Sequence, residues 1–96
     1  MNIFLLELQT NEKPVYIGLA KDLVKAVNKV DSSVPFETKL ILAFSPKRAN
    51  KRYTQLIDSL QEYNIKGTWF RKEVLLTPPI RQQFYNQGTT NGKEKE

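Results

Sequence analysis

The sequence predicts an α+β fold, a small three-stranded antiparallel sheet flanked by two to three helices. Three observations predict it. Residues 2–8, 14–17 and 39–44 are short apolar runs rich in strand-forming residues. Residues 22–30 set Leu23, Val24, Ala26, Val27 and Val30 at helical spacing between the second and third runs. Ala49, Tyr53, Leu56, Ile57 and Leu60 do the same after the third run.

Asn2-Ile3-Phe4-Leu5-Leu6-Glu7-Leu8 is apolar on both faces for most of its length, so it reads as a buried strand. Gln9 to Lys13 is polar and turn-like. Val15-Tyr16-Ile17 follows as the second strand of a hairpin, with Pro14, which lacks an amide donor, at its start. Gly18 then permits a sharp exit from the strand. The first helix covers residues 22–30. Lys21, Lys25 and Lys29, spaced four apart, line one exposed edge. Lys39-Leu40-Ile41-Leu42-Ala43-Phe44 is apolar after its lysine and reads as a central strand.

The second helix is predicted from Ser45 as cap and Pro46 in the first turn to about Tyr63. Gly67, able to take a positive φ, ends that region. Trp69 and Phe70 add apolar area to the core. Thr77-Pro78-Pro79 opens a short third helix, with Ile80 and Phe84 four apart to clip it to the body. The globular part spans residues 1–87. Residues 88–96 carry no apolar side chain and are predicted to be a disordered polar tail.

Composition bounds the chemistry. The 96 residues make one domain. With no cysteine, there is no thiol nucleophile, disulfide or zinc–thiolate site. With no histidine, the usual general base and metal ligand are missing. The apolar start ends at Glu7, too short for a signal peptide core or a membrane span. The chain reads as cytoplasmic, with no membrane partner. Its net charge of +5 is unevenly placed. Residues 38–72 hold eight Lys or Arg against two acids, whereas residues 1–37 hold four Lys against five acids. The excess is either a solvated face or a patch for phosphates.

Tyr16-Ile17-Gly18 at the end of a strand, then a helix, a strand, a second helix and Gly67-Thr68-Trp69-Phe70, in that order, resembles the GIY-YIG nuclease superfamily. The likeness is to its small single-domain branch ending in Gly-x-Trp-Phe, and it covers roughly residues 2–72. The resemblance implies a metal-dependent nuclease. In active members a tyrosine in each name motif, an arginine on the first helix and a glutamate on the second converge on one phosphodiester. The glutamate holds a divalent metal and the arginine stabilises developing charge.

Carried onto this chain, those positions are mostly changed. Tyr16 is retained. Phe4 matches the first-motif tyrosine and lacks the hydroxyl. The arginine position falls at Ala26, with Lys25 adjacent and Lys29 nearly a turn later. The glutamate position falls at Tyr53, and a shift of one residue finds Arg52 or Thr54. Asp58 lies about 140° round the helix from Tyr53. The sequence therefore places no metal site.

Lys47, Arg48, Lys51 and Arg52 cluster where the second helix begins. That is the positive end of the helix dipole, where bases are mildly unfavourable. Either solvent tolerates them, or the helix end and four side chains hold phosphate.

The leading expectation is a catalytically degenerate GIY-YIG-like domain. It would bind nucleic acid, DNA favoured, through Lys47, Arg48, Lys51 and Arg52, with Lys25 and Lys29. The first alternative is an active nuclease using magnesium or manganese, in which Tyr16, Lys25 or Lys29, and Asp58 or Glu62 have taken over the roles. The second is a protein-interaction domain from a phage or mobile element.

Overall fold

A computed structural model describes residues 1–83. The architecture is α+β. Strands β1 (Asn2–Leu8) and β2 (Val15–Ala20) form an antiparallel hairpin, followed by helix α1 (Leu23–Ser33). Strand β3 (Thr38–Phe44) leads to helix α2 (Ala49–Ser59), and a 3-10 turn at Gln61–Tyr63 follows. Strands β4 (Asn64–Lys66) and β5 (Trp69–Phe70) make a second hairpin, and a 3-10 helix runs over Lys72–Leu76. Residues 78–83 are helical. Among the described residues the sheet has five strands, in the order β3-β1-β2-β5-β4.

The sheet is a central layer with one helix on each face. Alternation along β1 divides its buried residues between two cores. Ile3 and Leu5, with Val15 and Ile17 of β2, pack against Tyr53, Leu56 and Ile57 of α2. Phe4 and Leu6 pack against Leu23, Ala26, Val27 and Val30 of α1. Ile3 to Leu6 are each at most 2 % exposed, as the unbroken apolar run requires.

The sheet is wider than the predicted three strands because Gly67 ends no helix. It takes φ +58 in the turn of the β4–β5 hairpin, and Asn64 Nδ2 donates to the Gly67 and Trp69 carbonyls at 2.8 and 3.2 Å. That hairpin adds to β2 through Val15↔Phe70 and Tyr16↔Trp69. Phe70 is fully buried, while Trp69 is only half-buried.

β3 is an edge strand, not a central one. One side pairs with β1 and, among the described residues, the other carries no strand. Its pairing slips between Leu5↔Leu42 and Leu6↔Leu40, leaving Ile41 as an extra residue. A bulge of this kind and the exposed Lys39 are devices found on sheet edges. An apolar run alone does not distinguish an edge strand from a central one.

Both helices differ at their ends from the sequence reading. α1 runs to Ser33 and is capped by the Asp22 carboxylate, which accepts from the Lys25 amide at 3.0 Å. Val24, assigned to its apolar face, is 68 % exposed. α2 begins at Ala49, because Ser45 does not cap it: its hydroxyl donates to the Met1 carbonyl at 2.9 Å. Arg48 stands at the cap position instead, in the left-handed region at φ 55. The third helix docks through Ile80, which is fully buried. Its predicted partner Phe84, and the predicted polar tail at 88–96, lie outside the described residues.

Gly18 is needed for a reason other than a sharp exit. It lies inside β2, opposite Phe4 on β1. A Cβ there would meet the Phe4 ring, with Cε1 at 2.6 Å, and Tyr16 Cε1 at 2.8 Å. The strand is glycine at this point so that an aromatic ring can lie on its backbone.

Gly18→Ala is therefore predicted to cost about 2–3 kcal/mol by overpacking. Gly67→Ala, with open space around it but a left-handed φ, is predicted to cost about 1 kcal/mol. Urea unfolding of both variants measures the difference. Combining Gly18→Ala with Phe4→Leu should recover part of the loss, because the two sites share one contact.

Candidate nucleic-acid interface

Three strands bring three aromatic rings together on the α1 face. Tyr16 is directly opposite Trp69 across β2 and β5, and their rings meet edge to face at 5.3 Å and 67°. Phe4 lies diagonal to Tyr16, because its own partner is Gly18, with centroids 5.9 Å apart and planes tilted by 35°. β5 reaches only Val15 and Tyr16, so the later half of β2 has no β5 neighbour. A cavity of about 410 Å³ opens there between the sheet and α1. Phe4, Tyr16 and Trp69 line it from the sheet, and Ala26, Lys29 and Ser33 line it from the helix.

Three of the four positions singled out by the GIY-YIG resemblance, Phe4, Tyr16 and Ala26, thus share one cavity. Only Tyr16 among them offers a polar side-chain group. The fourth, Tyr53, comes from α2 on the other face. Its hydroxyl donates to the Ile17 carbonyl at 2.9 Å, just past the end of β5. The Ile17 amide still donates to the Thr68 carbonyl at 3.1 Å, so Tyr53 occupies the next place on that strand edge. Burial, and secondarily the proximity of Tyr16, raise the Tyr53 pKa above the ordinary tyrosine value. The phenol is a neutral donor, at the position where the resemblance implies a metal-holding carboxylate.

No group of three or more His, Cys, Asp or Glu that could hold a metal is formed among the described residues. Asp58 and Glu62 are exposed, and neither lines the cavity.

The six predicted nucleic-acid-binding residues are divided between two places. Lys29 lines the cavity on the α1 face, and Lys25 is exposed on the same helix without lining it. Lys47 and Arg48 lie in the turn before α2, and Lys51 and Arg52 in its first turn. All four are exposed, and no acidic residue shares that first turn. The left-handed backbone at Arg48 costs roughly 1 kcal/mol for a residue that is not glycine. The α2 bases and the α1 lysines lie on opposite sides of the sheet.

The sequence reading gave Trp69 to the core and the Gly-x-Trp-Phe motif, not to a site, and it placed neither Ser33 nor the lining residues Leu19 and Ala20 there. Trp69 joins the site only through the β4–β5 hairpin, signalled by Asn64 and Gly67 at a short spacing. Ser33 lies in the turn of α1 beyond its predicted end, and its hydroxyl donates to the Val30 carbonyl at 2.8 Å. No helix among the described residues is long and apolar enough to cross a membrane. Comparisons with known protein families, with curated proteins and with solved structures find no match to this chain.

Tyr53→Phe removes the donor to a strand carbonyl and is predicted to cost about 1–2 kcal/mol. Because the folded-state pKa is raised, the wild-type phenol contributes its stability fully below pH about 10. That contribution is lost as pH rises through the folded value. Unfolding curves across the alkaline range should therefore fall less steeply for Tyr53→Phe than for wild type.

Proposed function

We propose that the protein is a degenerate GIY-YIG-like domain that binds nucleic acid, DNA favoured, without cutting it. The observation that carries the binding reading is the start of α2. Four exposed bases surround a helix end that offers free amides, and no acid in the first turn offsets them. Like charges at the positive end of a helix oppose local stability, and a bound phosphate backbone removes that opposition.

The degenerate reading is supported by the geometry of the other face. Phe4, Tyr16 and Ala26 are neighbours around one cavity, as the family's residues would be, with the hydroxyl and the cation replaced, whereas Tyr53, at the carboxylate position, lies on the opposite side of the sheet. Asp58 and Glu62, the acids available to a relocated nuclease site, stand away from Tyr16's cavity.

A titration of fluorescent duplex DNA at several salt concentrations tests the binding. Affinity is predicted to fall with a log–log slope of roughly −3 to −4 if all four bases engage. Lys51→Ala with Arg52→Ala should flatten the slope by about two, with the fold unchanged. Incubation of supercoiled DNA with magnesium or manganese should produce no nicking. Absence of low-salt binding would instead favour the protein-interaction reading, for which Phe36 and Leu40, exposed beside and on the open edge strand, supply apolar surface.

A further inference from the structure

We infer that the cavity beneath α1 binds a nucleotide, its base against Tyr16 and Trp69 and its phosphate on Lys29. The inference rests on the nucleic-acid reading for the class of ligand, but it concerns a second site on the opposite face from the α2 bases.

Four observations carry it. The cavity, at about 410 Å³, is the size of a small-molecule site. Its sheet wall is aromatic, and flat bases stack on such side chains with little regard to identity. Among the described residues Lys29 is the one charged side chain that lines it and no acid does, so the complementary ligand carries an anion. Tyr16 and Ser33 add hydroxyls to an otherwise apolar lining, enough to orient a polar ring edge.

The room exists for identifiable reasons. Ala26 projects only a methyl group where α1 faces the rings. β5 ends before it can cover the second half of β2. A base held in duplex has both faces covered by its neighbours, so the occupant is unpaired. It is either a free nucleotide or a nucleotide of a single strand, and the chemistry recognised is the same.

The chain has one tryptophan, and it lines the site. Its fluorescence, excited at the red edge of its absorption, is titrated with deoxythymidine 5′-monophosphate, thymidine, inorganic phosphate and short oligo-dT. Saturable quenching by the monophosphate is expected, weaker quenching by thymidine, and none by phosphate alone. Lys29→Ala should weaken the monophosphate by about tenfold, as loss of one charge-assisted contact implies. Ala26→Leu, which fills the room, should abolish quenching. Circular dichroism checks its fold, and Lys29→Glu, at an exposed side chain, serves if that variant unfolds.

Tighter binding of oligo-dT than of the monophosphate assigns the site to a strand, and equal binding assigns it to a free nucleotide. Lys51→Ala with Arg52→Ala should leave monophosphate quenching unchanged. If quenching is absent or not saturable while duplex binding persists, this inference is overturned and the α2 reading stands. If quenching is intact while duplex binding fails, the α2 reading falls and the cavity remains. Quenching that survives Lys29→Glu undiminished would also overturn the site.

Discussion

The contact of the Phe4 ring with the backbone at Gly18 is the constraint on which the site depends. The ring is 2 % exposed and lies on the face covered by α1. It can take that place only because the opposite residue has no Cβ. A shift of β1 against β2 by one residue would set the ring over Ile17 or Leu19 and turn every side chain to the wrong face. The same pairing puts Phe4 diagonal to Tyr16, and Tyr16 in turn meets Trp69. The register of one hairpin thus places an aromatic row across three strands.

The fold was legible where the pattern was local. Ile3 to Leu6, Tyr16-Ile17 and the spacing of Tyr53, Leu56 and Ile57 gave the right elements, because burial on a sheet or helix face leaves a direct trace in residue order. The start of α1 near residue 22 was also local, although the role of Asp22 as its cap was not read from the sequence. The errors lie where a distant residue decides. Ser45 has the chemistry of a cap, but the Met1 carbonyl takes its hydroxyl. Gly67 has the chemistry of a helix end, but β2 offers its hairpin a free edge. β3 has the composition of a central strand, and only the order of the sheet reveals its open side.

The resemblance grouped Phe4, Tyr16, Ala26 and Tyr53 around one point. The first three meet around one cavity. Tyr53 instead reaches β2 from the opposite side of the sheet. The exposed bases were found by counting charge. Their separation from Lys25 and Lys29 depends on which face each helix covers, and that follows from the alternation of Ile3 and Leu5 against Phe4 and Leu6 along one strand.

The seam between β2 and β5 has a kinetic consequence. It is closed by two residue pairs, Val15↔Phe70 and Tyr16↔Trp69, which are distant in the chain. The two hairpins form from neighbouring segments and close short loops, whereas this seam must close a long one. It is therefore expected to assemble after both hairpins. With so few ladder bonds it is also the place where local opening precedes global unfolding. Hydrogen exchange at the Val15 to Ile17 amides that face β5 should thus run ahead of exchange in the β1–β2 ladder. Tyr16 and Trp69, one of the two pairs of this seam, line the cavity, so opening of the seam would loosen its aromatic wall.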